Sequence, residues 1–340
     1  MAEPLGIGRF ALWDAAAVLA VRGRARATGI AAGVLADAVF GDPGRAHPVA
    51  LFGSGATAVE RYSYSDSRSA GVLHTAGLLA AVAIMGTAAE RAGRPRGQWR
   101  EGLCVAAATF IALGGTSLCR TGEHMAGLLQ HGDIAGARRL LPALCGRDPA
   151  VLDVAGLTRA ALESIAENTS DAQVSPLVWA AVGGAPGVLV FRAANTLDAM
   201  IGNRSPRYAR FGWAAARFDD LVNLAGARLT GVLIAMCAPV VGGSPMAAVR
   251  AWRRDARRHP SPNAGVVEAS FAGALGVRLG GPTQYEYNLE IRPSLGDGPG
   301  PEVADLARAV RLSRAVQLLA AAFSVVVSLA CRTGWRVSPR

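Results

Sequence analysis

Apolar residues run along this chain in blocks, not at the alternating spacing of half-buried strands, and several blocks are long enough to cross a bilayer. A crossing helix takes about 20 mostly apolar residues, because its backbone must satisfy its own hydrogen bonds where water is absent. Residues 71–89 and 103–119 meet that requirement, joined by a link that carries Arg91, Arg94, Arg96 and Arg100. Residues 315–331 form a third block. Residues 229–241 are short alone, and extending them backward takes in Arg228. A charge at mid-bilayer costs roughly 3 kcal/mol, so Arg228 is expected at the interface or facing the protein interior. Two further blocks are interrupted. Residues 28–40 carry Asp37, and residues 174–194 carry Pro176, Pro186 and paired glycines. Either reads as a re-entrant or broken helix lining a polar cavity.

The polar stretches between these blocks, residues 120–170, 195–223 and 250–314, are too long to be simple turns. Their apolar spacing and their Pro and Asp breaks predict helices. No stretch combines sustained alternation with a hairpin signal. The expected fold is all-α: a single multi-pass integral membrane domain over residues 1–340, with about four to six membrane segments and helical extramembrane loops. Near the N-terminus the apolar stretch 10–21 is interrupted by Asp14 and followed by Arg22, Arg24 and Arg26. That order is not the one a cleavable signal requires, so no cleavage is expected.

Composition sharpens this reading. The chain is 51% hydrophobic and only 18% charged, with a mean hydropathy of +0.28, which is unusual for a soluble protein. Its net charge is +10, and every basic residue is arginine, since the sequence contains no lysine. That excludes a Schiff-base lysine and the lysine of a Gly-x-x-x-x-Gly-Lys phosphate loop. The arginines flank apolar blocks, so their partners are read as lipid headgroups and phosphorylated ligands, and not as nucleic acid. The links around Arg91–Arg100 and Arg250–Arg258 are expected on the cytoplasmic side; if both lie there, an even number of crossings separates them. Five scattered cysteines form no Cys-x-x-Cys pair, and Glu123-His124 with His131 makes no His-Glu-x-x-His site. No zinc site is therefore expected.

Four clusters dense in Asp, Glu, Asn, Arg and Gly lie beside the apolar blocks. The first holds Asp37, Gly41-Asp42-Pro43 and His47-Pro48-Val49. The second runs Glu163-Ser164-Ile165-Ala166-Glu167-Asn168-Thr169-Ser170-Asp171. On a helix, Glu163, Glu167 and Asp171 would share one face and repel, so an arginine group or a divalent ion is expected opposite them. The third holds Asn195, Asp198 and Asn203, then Arg204, Arg207, Arg210 and Arg217, and ends Asp219-Asp220-Leu221-Val222-Asn223. Asp219 or Asp220 with Asn223 would offer hard oxygens to Mg²⁺, and the arginines could clamp phosphate. The fourth joins Ser261-Pro262-Asn263-Ala264-Gly265 and Glu268 to Gly280-Gly281-Pro282 and Arg292-Pro293. Each cluster also has a plainer reading as helix caps or solvated faces.

These motifs, in this order from about residue 30 to residue 300, resemble the signatures of the adenosylcobinamide-phosphate synthase family, the cobalamin biosynthesis proteins CobD/CbiB. The resemblance implies a cell-membrane ligase that amidates adenosylcobyric acid with (R)-1-amino-2-propanol O-2-phosphate, using ATP and Mg²⁺. It also implies a cytoplasmic active site, corrinoid and aminoalcohol-phosphate substrates, and other cobalamin-synthesis enzymes as partners at the bilayer. Mapped onto this chain, Asp37, Asp42, His47, Glu167 and Asn168 are the expected catalytic residues. Asn195, Asp198, Asn203, Arg204, Arg207, Arg217, Asn263 and Arg292 are expected to bind substrate or phosphate. Glu163, Glu167, Asp171, Asp219, Asp220 and Asn223 are the expected metal ligands. The competing class is a non-enzymatic protein on the same scaffold, an AmpE-like sensor or a corrinoid transporter, for which broken polar helices would line a path.

Overall fold

Alanine, leucine and valine dominate the apolar blocks, and with a backbone that must bond to itself in lipid they form helices. The structure, a computed structural model, describes residues 7–43, 47–93, 97–203, 205–284 and 289–330, with side chains from residue 23 onward. In chain order the helices are α1 (Ile7–Phe40), α2 (Pro48–Ser63), α3 (Arg68–Gly93), α4 (Gln98–Ala112), α5 (Gly115–Gln130), α6 (Ile134–Leu140) and α7 (Val154–Thr169). They continue with α8 (Ser175–Ile201), α9 (Tyr208–Phe211), α10 (Trp213–Cys237), α11 (Pro245–Asp255), α12 (Ala264–Leu275) and α13 (Val303–Ala330). Five helical stretches among the described residues are long and apolar enough to cross a membrane: 68–93, 98–130, 154–201, 213–241 and 303–330. The chain is an all-α, multi-pass membrane protein. Its spans carry large apolar side chains on the outside, among them Leu73 at 75%, Ile84 at 68% and Leu318 at 68% exposure. Lipid, not water, is the solvent that such a surface suits.

Close helix approach is made by small residues, as lipid-embedded packing favours. Gly29 and Gly33 bring α1 onto α4, and a Cβ on Gly33 would sit 2.7 Å from Thr109 Cβ. One core unites α1, α4, α5, α7 and α10–α13, with Phe271, Met125 and Leu162 fully buried. A second joins α2, α3, α9 and the C-terminal part of α8 around Phe191, Leu197 and Phe211.

The apolar run 103–119 is not one helix. α4 stops at Ala112, Leu113 is extended, and α5 restarts at Gly115. The exposed backbone is met from elsewhere: Gly114 N–H donates to Ala172 O at 3.0 Å, and Asp37 Oδ2 accepts from Thr116 N–H at 3.2 Å in the first turn of α5. Ala172 itself lies in a π-helical turn, Ser170–Val174, inserted between α7 and α8. Two interruptions thus meet and satisfy each other.

α8 is also broken, as expected for a re-entrant element. Gly184 has φ 63° and ψ −151°, a conformation available essentially to glycine alone. Beyond it the chain folds back. A Cβ on Gly187 would lie 2.9 Å from Trp179 O, and Asn195 reaches Asp171, neither of which a straight helix permits. Arg26 caps the end of the first leg, donating from Nη1 to Val182 O at 2.9 Å and Ala181 O at 3.4 Å.

Two strands stand where no hairpin is expected from the sequence. β1 (Leu279–Gln284) pairs antiparallel with β2 (Leu289–Leu295), with a bulge between Leu279 and Gly281. Their Gly-Gly-Pro and Arg-Pro-Ser segments lack alternating burial, so periodicity does not mark them. They are fixed instead by α7: Arg159 Nη2 donates to Pro282 O at 2.5 Å, and Gly280 N–H donates to Glu163 Oε1 at 2.7 Å.

The fold-back yields a test. Gly184→Ala should lower the thermal midpoint in detergent by the equivalent of about 1–3 kcal/mol, the usual cost of such a backbone conformation. Gly183→Ala, whose Cβ would meet only Trp179 at 3.9 Å, should leave it unchanged. Equal midpoints for both variants would mean that α8 does not turn at Gly184.

Candidate active site

An ionised carboxylate inside a helix bundle is tolerated only where donors or cations compensate it. Glu163, on α7 and 2% exposed, has both oxygens engaged. Arg147, from the turn before α7, donates its Nη2 to Glu163 Oε2, and the β1 backbone bonds the other oxygen. Glu163 was expected to ligate metal; the structure makes it a brace between α7, the preceding loop and the hairpin. The positive group expected opposite the α7 carboxylates is Arg147, with Arg292.

One turn on, Glu167 lies among the charges of Arg292, Arg147 and Glu163. Its side chain is nonetheless solvent-accessible, as befits a wall of a water-facing hollow. Asn168 Nδ2 donates to Ser164 O at 3.0 Å, which fixes its amide beside the same wall. The π-turn then rotates Asp171 toward α8 and α10, so that its charged neighbours are Asp219, Glu167, Asp198 and Arg192.

Asn195 spans the hollow. Its Nδ2 donates to Asp171 Oδ2 at 3.4 Å, and its Oδ1 accepts from Arg192 Nη1 at 3.3 Å. On α10, Asn223 Nδ2 lies 3.1 Å from both oxygens of Asp219, while Asn223 Oδ1 is buried with no hydrogen-bond partner. Asp198 interacts with Asp220 and Glu167. Carboxylates from α7, the π-turn, α8 and α10 therefore converge on one hollow.

These oxygens do not form a closed cage: among the described residues no three His, Cys, Asp or Glu side chains are arranged to hold a metal. Mg²⁺, however, typically takes one or two carboxylates and completes its octahedron with water and phosphate oxygens. Asp219 beside the orphaned Asn223 Oδ1 fits that partial role.

Other expected residues have different tasks. Asp37, 1% exposed, is occupied as a helix cap, its Oδ2 accepting from Thr116 Oγ1 and Gln317 Nε2, each at 3.0 Å. His47 caps α2, its Nδ1 accepting from Val49 N–H at 3.1 Å. Neutral His47 must then carry its proton on Nε2, which faces Asp42 Oδ1 at 4.0 Å. Asp42 is exposed and reaches the hollow through Arg192, whose charged neighbours are Asp42 and Asp171.

Arg207, expected to hold phosphate, is tied to Glu60 Oε1 at 2.8 Å and lies 4.1 Å from the Tyr64 ring centre. The same bond to Glu60 raises its pKa further. Asn203 Oδ1 accepts from Ser205 N–H at 3.2 Å in the turn after α8, away from the hollow. Arg204 lies outside the described residues. Asp220 pairs with Arg217 at 3.4 Å and so sits at the rim. Asn263 joins α10 to the loop before α12, donating to Asp220 O at 2.7 Å and accepting from Arg228 Nη1 at 2.6 Å.

Sequence reasoning gave no role to four residues that complete the site: Arg147, Arg192, His259 and Glu268. Arg192 precedes Asn195 by one helical turn, and that spacing was the available signal. Glu268, on α12 and 1% exposed, has no hydrogen bond to either oxygen. Its nearest charged groups are Arg292 Nη1 and His259 Nε2, each at 3.7 Å. Burial raises its pKa well above the usual carboxyl range, and the charges of Glu163 and Glu167 push it the same way. Burial lowers the pKa of His259, with Arg292 adding to the effect. Outside this wall a basic cleft of about 720 Å³ is lined by Arg217, Arg228, Trp252, Arg253, Arg257 and His259.

Residues 30–313 match the family model described as CobD/Cbib protein. A cobalamin biosynthesis protein CobD of Mycobacterium tuberculosis is 63% identical over 302 residues, 89% of this chain and 96% of the relative. A CobD of Geobacter metallireducens is 41% identical over 310 residues, 87% and 96% of the two chains. One of Rhodobacter capsulatus is 52% identical over 184 residues, 54% and 57%. No solved structure matches the chain.

The brace predicts a coupling. Arg147→Met leaves Glu163 buried and uncompensated and should cost about 3–5 kcal/mol of stability. Adding Glu163→Gln should recover a large part of that loss in a double-mutant cycle of detergent denaturation. Strictly additive effects would refute the coupling.

Proposed function

Since the chain belongs to the CobD/CbiB family of cobalamin biosynthesis proteins, we propose that it is the ATP- and Mg²⁺-dependent ligase that amidates adenosylcobyric acid with (R)-1-amino-2-propanol O-2-phosphate. The observation that carries this reading is the convergence of Glu167, Asp171, Asp198 and Asp219 on one water-facing hollow, flanked by Arg192, Arg147 and Arg292. A carboxylate is a poor acyl donor. Its oxygen therefore attacks the γ-phosphorus of ATP, releasing ADP and leaving an acyl phosphate; the amine nitrogen then attacks the acyl carbon and inorganic phosphate leaves.

Phosphoryl transfer depends on positioning and on charge compensation. Asp219, Asn223 and Asp171 would hold Mg²⁺, which supplies charge neutralisation across the phosphate oxygens. With no lysine in the chain, guanidinium groups must supply the remaining cations; Arg217 stands beside Asp220 and Arg192 beside Asn195. Before attack the aminoalcohol ammonium must lose a proton. Asp42 is the acceptor in this reading, because its carboxylate is exposed and faces Arg192, whereas Asp37 is buried with its Oδ2 committed to capping and the Nδ1 of His47 caps α2. Use of ATP puts the hollow on the cytoplasmic face of the cell membrane in this proposal.

Purified protein in detergent should form the amide from adenosylcobyric acid, aminopropanol phosphate and MgATP. A repeat with ethanolamine phosphate would define the amine. Asp219→Ala should reduce turnover by at least about a hundredfold, on the scale of losing one stabilising group, with an unchanged thermal midpoint. Full activity in that variant removes Asp219 from the site, and corrinoid uptake by proteoliposomes without amide formation would replace the ligase with a transporter.

A further inference from the structure

The cleft outside the acidic wall has a charge pattern of its own. Arg217 and Arg228 enter it from α10, Arg253 from α11, and Arg257 from the 3₁₀ turn that follows. No Asp or Glu lines it among the described residues. Arg253 and Arg257 are exposed and make no ion pair there, unlike their neighbours Arg254 and Arg258, which both bind Asp255. The Arg228 guanidinium is held by Asn263 Oδ1 at 2.6 Å and by Leu224 O at 3.3 Å, both on Nη1, so its remaining nitrogens face no acceptor among the described residues. Trp252 closes one wall, its indole 3.0 Å from where a Cβ on Gly231 would stand. His259, at the inner end, is the residue shared with Glu268.

Arg217 is paired with Asp220 at 3.4 Å, but Arg228, Arg253 and Arg257 meet no carboxylate among the described residues, and like charges gathered in this way are stabilised when an anion occupies the space between them. Guanidinium forks match the paired oxygens of phosphate, and an indole face packs against a planar or apolar group attached to it. We propose that this cleft is a binding site for a phosphate-bearing anion, gripped by Arg217, Arg228, Arg253 and Arg257. Among the cleft's lining residues, His259 is also the neighbour of the buried Glu268, at 3.7 Å. The same chemistry has two sources, a polyphosphate delivered from water and the headgroup of an anionic lipid.

Binding needs no turnover, so the test is independent of the ligase reading and can succeed where the amide assay fails. Inorganic tripolyphosphate is titrated onto full-length protein in phosphatidylcholine nanodiscs, followed by isothermal calorimetry and Trp fluorescence. The expected result is saturable binding that weakens steeply with added salt. Arg253→Gln/Arg257→Gln should lower the affinity about tenfold or more with the thermal midpoint unchanged, since neither side chain has an intramolecular ion-pair partner. The lipid arm uses nanodiscs containing phosphatidylglycerol: if tripolyphosphate does not bind but native mass spectrometry shows wild-type protein retaining phosphatidylglycerol and the double variant losing it, the anion comes from the bilayer. Neither probe binding, or equal binding by wild type and double variant, would overturn the site.

Discussion

A carboxylate kept ionised between packed helices must face a cation or several donors, and in this chain that cation can only be arginine. The consequence is visible at Glu163, where a guanidinium from a loop and an amide from a strand close on one side chain. Three segments that have no shared hydrophobic periodicity are thereby fixed in register. Glu167 and Asp171 are then presented from a helix whose base is immobile. Arg192 performs the same service on the opposite side through Asn195. Glu268 is the exception: it has no donor, and its environment favours the proton over the charge.

Two helices are interrupted at the same place beside this region. The gap between α4 and α5 and the π-turn after α7 are joined by one backbone bond, Gly114 to Ala172. Irregular backbone at membrane depth is tolerated where protein satisfies it or a cavity wets it. Here the first condition holds, since Ala172 and Asp37 satisfy the backbone exposed at the break, and the acidic side chains of α7, the π-turn and α10 gather beside it. Chemistry that handles charged phosphates beside a bilayer requires such a place, since neither lipid nor a dry core would solvate the reactants.

Much of this was legible in the residues. The blocks now seen as α3 and α13 announced themselves by length and apolarity, and the glycines and prolines of residues 174–194 announced a broken helix, whereas α10 showed only its short apolar end at residues 229–241. Helical spacing made Glu163 with Glu167, and Asp219 with Asn223, readable as neighbours on their own helices, but the π-turn that takes Asp171 off the first face left no mark in the spacing. Partners were not readable. Whether Arg207 would meet phosphate or Glu60, and whether Asp37 would be a base or a cap, depends on which helix lies opposite, and linear spacing carries no such information. The hairpin was hidden for a related reason. Its glycines and prolines read as turns, and the contacts that hold it are to α7, more than a hundred residues earlier. Glu268 looked like one more polar residue in a loop-rich motif until α12 buried it.

The turn at Gly184 reaches beyond the site. Residues 154–201 count as one candidate span by length and composition, yet the polypeptide reverses direction within it. Each reversal flips the parity of the path between the arginine-bearing links on either side, the one after α3 and the one at the end of α11. The backbone angle of a single residue therefore decides whether this stretch makes one passage or two, and tallying positive charges loop by loop would not disclose it.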